Sequence, residues 1–195
     1  MGLSIHYSGS FNKNASLTEM IEEVRDVAEI YKWKYNIYES QFPVNSLNET
    51  VLNNNIYGIS FSPPGCESVF LSFLSNGKLC YPFHLKYYHD SSGKYQKYIY
   101  IISIKTQYAG FHIHMLLVHL LKYLSKKYFK EFSVCDEGQY WESNDENLVR
   151  KNFNHYNQLL GMVSSALENF SIRKNESFEE YFQKVVRKIS GKKEE

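Results

Sequence analysis

The stretch Tyr98–Trp141, YIYIISIKTQYAGFHIHMLLVHLLKYLSKKYFKEFSVCDEGQYW, decides how the rest of the chain is read. Its first part is nearly continuously apolar from Ile99 to Ile104, which predicts a central strand over residues 98–107, covered on both faces. Gly110 then breaks the chain. Leu117, Leu120, Leu121, Leu124 and Tyr128 recur at helical spacing and predict a helix over 110–129. A second strand over 131–137 runs into Asp136, Glu137, Tyr140 and Trp141. Strand, helix and strand in this order form a β-α-β unit, with parallel strands whose carboxyl ends meet at one edge.

That edge is the expected ligand site. It gathers Lys105, Thr106 and Gln107 from one strand with Asp136 and Glu137 from the other. The helix starts there with free backbone N–H groups after Gly110. His114 falls at the flank of the helix's core face, and Tyr140 and Trp141 follow as walls. Ligands of open α/β sheets collect outside strand carboxyl ends. Lys105, Gln107, His114, Asp136, Glu137, Tyr140 and Trp141 are therefore the candidate binding residues for an anionic or polar small molecule. The structural alternative is that Lys105 pairs with Asp136 or Glu137 while Trp141 caps the core.

Upstream, Leu3–Tyr7 reads as a short strand, and Ser16-x-x-Glu19 forms a capping box that opens a helix. Met20, Ile21, Val24, Val27, Ala28 and Tyr31 give that helix one buried face, and its acidic residues are expected to be solvated. Lys34–Glu39 alternates as a half-buried strand and completes another β-α-β unit. After a polar loop, Ile56–Phe61, Ser68–Leu74 and Lys78–Tyr88 read as strands. Asn76-Gly77 makes the turn of a hairpin between the last two, and Pro82 marks an edge or a bulge. Downstream, Asn144 or Asp145 caps a helix to about residue 170. A second box, Ser177-x-x-Glu180, opens another helix, with Phe178, Tyr181, Phe182, Val185 and Ile189 on one side. The fold class expected is α+β: a mixed, largely antiparallel sheet with two β-α-β units packed by helices, plus two C-terminal helices. Residues 1–143 form the sheet domain, and residues 144–195 a helical pair packed on it as one domain overall.

Composition narrows the function. Lys+Arg 22 against Asp+Glu 21 leaves no global field to demand a nucleic-acid or membrane partner. Cys66, Cys80 and Cys135 lack the spacing of a disulfide framework or zinc knuckle and fit a reducing compartment. The first ten residues lack the pattern of a signal peptide, and no apolar run reaches the roughly 18 residues of a membrane span. A soluble, cytoplasmic protein is expected.

Candidate chemistries fall one by one. His112 and His114 would chelate from a strand, but on a helix side chains two apart diverge by about 200°. No HExxH pattern or third ligand accompanies them, so no metal is expected. Cys66 has no base at a telling position. Phosphate loops and hydrolase elbows are absent, leaving no catalytic residue and no cofactor to assign. Lys86, Lys94, Lys97 and Lys105 interleave with tyrosines as in single-strand binders. The net charge of +1 and the lack of an RNP motif argue against nucleic acid. Tyr87, Tyr88 and Tyr95 instead suggest a docking surface for another protein. The leading expectation is a non-catalytic interaction protein that uses this aromatic hairpin or a sheet edge. The alternative is a small-molecule binder or small enzyme at the carboxyl ends of strands 98–107 and 131–137.

Overall fold

Polar and apolar residues alternate over Ser4–Phe11, and this stretch forms strand β1. Ile5, Tyr7 and Phe11 are buried, whereas Ser4, His6, Ser8 and Ser10 turn to the other face and stay partly exposed. The computed structural model describes residues 2–44, 47, 53, 55–87, 96–169 and 177–189. In these, β1 is the middle strand of a sheet in the order β5-β1-β6, with β5 at Ile102–Lys105 and β6 at Phe129–Asp136. Both neighbours run antiparallel to β1, in register Ser4↔Lys105 and Ile5↔Asp136. They are therefore parallel to each other, and the helix α2 (Phe111–Tyr128) connects them.

A second antiparallel sheet has the order β2-β3-β4, formed by Lys34–Ile37, Tyr57–Ser62 and Val69–Phe73. Helix α1 (Leu17–Ile30) lies against β3 and touches α2. Ser16 caps α1 by accepting the Glu19 N–H at 3.2 Å. The acidic side expected to be solvated is partly engaged: Lys127 of α2 bonds Glu19 at 2.6 Å and Glu23 at 2.7 Å.

Two devices join the sheets. Residues 78–80 bridge them: Leu79 N–H donates to Gly9 O at 2.9 Å and Cys80 N–H to Ser72 O at 2.8 Å. Deeper in, the Tyr7 hydroxyl donates to Phe70 O at 2.8 Å and accepts the Phe70 N–H at 3.1 Å. One buried side chain of β1 thus satisfies both backbone groups of Phe70 in β4. Burial pushes the Tyr7 phenol well above its ordinary pKa, so the hydroxyl keeps its proton. Phe11, Phe42, Phe73 and Phe129 pack edge and face nearby, with ring centroids 5.2–6.4 Å apart.

The architecture is α+β. Several elements differ from the sequence expectation. The strands of the first β-α-β unit are divided between the two sheets, β1 in one and β2 in the other. Of the strand expected over Lys78–Tyr88, the described residues Pro82–Tyr87 are a 3-10 helix, because proline fixes φ and has no N–H for a ladder. Gln96–Ile99 is likewise a 3-10 turn, so the strand expected over 98–107 shrinks to Ile102–Lys105. Ile102 and Ile104 are buried but Ser103 is exposed, as befits an edge rather than a centre. The turn at residues 90–93 lies outside the described residues.

The chain divides into two compact units, Met1–Val149 and Arg150–Glu195. The first holds both sheets, α1, α2, the short α3 (Tyr140–Ser143) and the start of α4 (Glu146–Asn169). Asp145, not Asn144, opens α4 by accepting the Asn147 N–H at 2.9 Å. The second unit holds the rest of α4 and α5 (Phe178–Ile189), capped reciprocally by Ser177 and Glu180. Tyr181 and Val185 of α5 are buried, and the Tyr181 hydroxyl donates to Leu167 O at 3.1 Å. Phe178 and Phe182, expected on the same apolar side, are exposed.

Removing the Tyr7 hydroxyl strands two buried backbone groups, each costing about 1–3 kcal/mol. Tyr7→Phe should therefore lower unfolding stability by about 2–6 kcal/mol, read from the shift of a urea midpoint. A shift near zero would mean that the hydroxyl does not join the sheets.

Candidate functional site

The carboxyl ends of β5 and β6 lie on either side of the start of β1, so the expected edge exists. α2 also starts there, after Gly110, whose φ of 83° suits a residue without a side chain. What the side chains do at this edge is set by Asp136. Its Oδ1 accepts the Gly138 N–H at 2.7 Å, and its Oδ2 accepts the N–H groups of Tyr140 at 2.7 Å and Trp141 at 2.9 Å. The carboxylate thereby satisfies the first free donors of α3. His114 Nε2 approaches Oδ1 at 2.9 Å. Burial pushes the Asp136 carboxyl up, but His114 and the backbone N–H groups outweigh it and hold the pKa below the ordinary value.

His114 is fully buried, and its Nδ1 is 2.8 Å from the Thr106 hydroxyl. That hydroxyl lies 3.2 Å from Leu3 O and donates to it. Thr106, His114 and Asp136 have the outline of a hydroxyl–histidine–carboxylate relay, but all three are buried and spend their bonds on the chain itself.

The remaining candidates are similarly committed. Gln107, buried, accepts the Leu3 N–H at 2.9 Å. Glu137, exposed, accepts the Ser4 N–H at 2.7 Å. The Lys105 ammonium lies over the Tyr108 ring at 5.2 Å, and the Lys105 N–H donates to Glu67 at 2.8 Å. The buried Tyr140 hydroxyl meets His119 Nε2 at 3.0 Å. Trp141 is half-buried, with Lys122 5.5 Å over its ring. All seven residues thus gather near one edge, where Gln107, His114, Asp136 and Tyr140 point into the protein. Tyr88 and Tyr95 of the expected docking surface lie outside the described residues, as does the side chain of Tyr87.

Cys66 sits against Lys105 O at 3.5 Å, and burial, with Glu67 beside it, pushes its thiol up to about 12. A thiol so shifted carries no thiolate at neutral pH. Among the described residues, no three His, Cys, Asp or Glu side chains are grouped to hold a metal ion, and no helix is long and apolar enough to cross a membrane.

Sequence reasoning missed the polar outer face of the sheet. There His6 Nδ1 is 2.7 Å from Ser103 Oγ, and its Nε2 is 3.7 Å from Glu137. Ser8, Ser10 and Ser133 continue that face into a groove with Lys78, Tyr100 and Glu131. The period-two alternation of Ser4, His6, Ser8 and Ser10 was the available signal. Comparison of the chain with protein-family models, curated proteins and solved structures finds no match.

Asp136→Asn puts an amide donor in place of one oxygen that accepts from the Gly138, Tyr140 and Trp141 N–H groups, and it should destabilise the protein by about 1–3 kcal/mol. Because the folded pKa is lowered, the carboxylate's contribution is present above the unfolded value of about 3.9 and lost as pH falls through the folded pKa. Urea midpoints should therefore drop below about pH 4, and Asp136→Asn should flatten that limb. A Cβ at Gly138 would collide with His114 Nε2 and crowd Asp136 Oδ1 at 3.1 Å. Gly138→Ala should cost about 1–3 kcal/mol, measured the same way; an unchanged midpoint would show that the ring has room to move.

Proposed function

We propose that this chain is a non-catalytic interaction protein that takes an extended peptide of a partner protein onto the open edge of β2. The observation that carries this reading is the exposure of that edge. Among the described residues β2 pairs only with β3. Tyr35 and Ile37 on it are 40% and 39% exposed, beside Ile30 at 75% and Tyr31 at 49%. Large apolar side chains grouped at a sheet edge mark a surface that gains from being covered.

The backbone supports the same reading. The Tyr38 N–H donates inward to Gly58 O, so by the alternation of an antiparallel ladder the N–H groups of Tyr35 and Ile37 face outward. An added strand would supply the missing acceptors and apolar residues opposite Tyr35 and Ile37. The exposed Lys32 and Lys34 favour an acidic residue in that peptide. The competing reading, a small molecule at the carboxyl edge of β5 and β6, draws less support. Gln107, His114, Asp136 and Tyr140 use their polar atoms on their own chain.

Random-sequence displayed peptides selected on the full chain should be extended and alternately apolar, and should slow amide exchange at Tyr35 and Ile37. Ile37→Pro removes one outward N–H without touching the β3 ladder. It should weaken those peptides about tenfold while leaving the urea midpoint nearly unchanged. Selected peptides that protect other amides, or that bind the proline variant equally well, would refute the reading.

A further inference from the structure

The outer face of the sheet β5-β1-β6 carries a second feature, independent of the β2 edge. A groove of about 460 Å³ lies over β1 and β6, with Ser8, Ser10 and Ser133 on its floor and Lys78, Tyr100 and Glu131 at its sides. That volume falls within the range of small-molecule sites, roughly 300–1,000 Å³. Ser10 is the midpoint: Lys78 bridges to it from one side, and Glu131 is its cross-strand partner on the other. At about 4.8 Å per strand spacing, the two charged residues stand roughly 10 Å apart across the serine row.

What distinguishes this groove is that its polar groups are uncommitted. Among the described residues, the Ser8, Ser10 and Ser133 hydroxyls and the Glu131 carboxylate have no hydrogen-bond or ion-pair partner in the protein. The Lys78 ammonium has only the Tyr100 ring, at 5.4 Å. No ion pair joins Lys78 and Glu131. At the neighbouring edge of the same sheet, Gln107, His114 and Asp136 are all paired.

The charge pattern selects the ligand. A simple anion drawn to Lys78 meets the Glu131 carboxylate, and a simple cation drawn to Glu131 meets the ammonium. A hydroxyl donates and accepts, so the serine floor serves either sign. Only a ligand carrying both charges a few ångströms apart gains from both walls. We infer that the groove is a binding site for a small zwitterion of the amino-acid type, its carboxylate toward Lys78 and its ammonium toward Glu131. Ser8, Ser10 and Ser133 would bond whichever oxygen or N–H lies above them.

Amide NMR titration of the full chain tests this with four probes: glycine, L-serine, acetate and methylammonium. Glycine or L-serine should shift the amides of Ser8, Ser10 and Ser133, and should bind about tenfold more tightly than either single-charge probe. Lys78→Met and Glu131→Gln, both exposed positions, should each remove about tenfold of that affinity. They should leave the rest of the spectrum in place. Acetate or methylammonium binding as tightly as the zwitterions would overturn the assignment in favour of a plain ion site. No shift at the three serines with any probe would overturn it outright. The β2 edge takes no part in this titration, so either proposal can fail alone.

Discussion

The Asp136 carboxylate is the constraint on which the carboxyl edge of the sheet depends. Two oxygens take three backbone N–H groups and face one imidazole, so the last residue of β6 holds the turn after it, the start of α3 and the first turns of α2. Through His114 the connection continues to Thr106 and to Leu3 O. Taking such a pair out of water is expensive, and a well-packed apolar replacement would often serve stability as well. Its effect here is one of register. A slip of β6 by one residue would carry Asp136 to the solvent face and strand His114 in the core, a penalty that an all-apolar edge would not impose.

The same sheet manages its polar residues in two opposite ways. At the edge, side chains close onto the chain: Gln107 and Glu137 complete the backbone bonds of Leu3 and Ser4. On the outer face, the period-two alternation of β1 and β6 leaves hydroxyls and charges pointing into an open groove. Burial explains the difference. An unpaired polar group in the interior costs more than a protein can tolerate often, whereas one in a groove is solvated until something displaces the water. The residues that look most like a reaction centre, Thr106, His114 and Asp136, are thus the ones most occupied with holding the fold.

Much of this was legible in the sequence where the signal is local. The Ser16 and Ser177 boxes, the break at Gly110 and the core face of α2 follow from spacing alone, and the helix wheel put His114 beside Leu121. Convergence of β5 and β6 at one edge follows from the parallel geometry of a strand–helix–strand unit. The place of β1 between them does not, because no local pattern names a partner a hundred residues away. The division of β1 and β2 between two sheets escaped for the same reason. Pro82 was read as an irregularity in a strand, but it starts a 3-10 helix and ends the ladder. At the site, the directions of Asp136, Tyr140 and Trp141 depend on the left-handed Gln139, φ 64°, and on the close approach of Gly138 to His114. A left-handed glutamine has no sequence signature.

The central position of β1 also bears on how the chain matures. Its partners are distant: 104 residues separate Leu3 from Gln107, and 133 separate Ser4 from Glu137. At roughly 5–20 residues per second of synthesis, β1 leaves the ribosome several seconds before β6 exists to close beside it. Until then the β6 side of β1 stays open and Ile5, Tyr7 and Phe11 lack part of their cover, a state that invites association. The polar half of its alternation, with Gly9 in place of a further apolar residue, moderates that hazard without altering the finished sheet. Pairings of such sequence separation also slow folding itself. β1 gains its second neighbour only once β6 has been made.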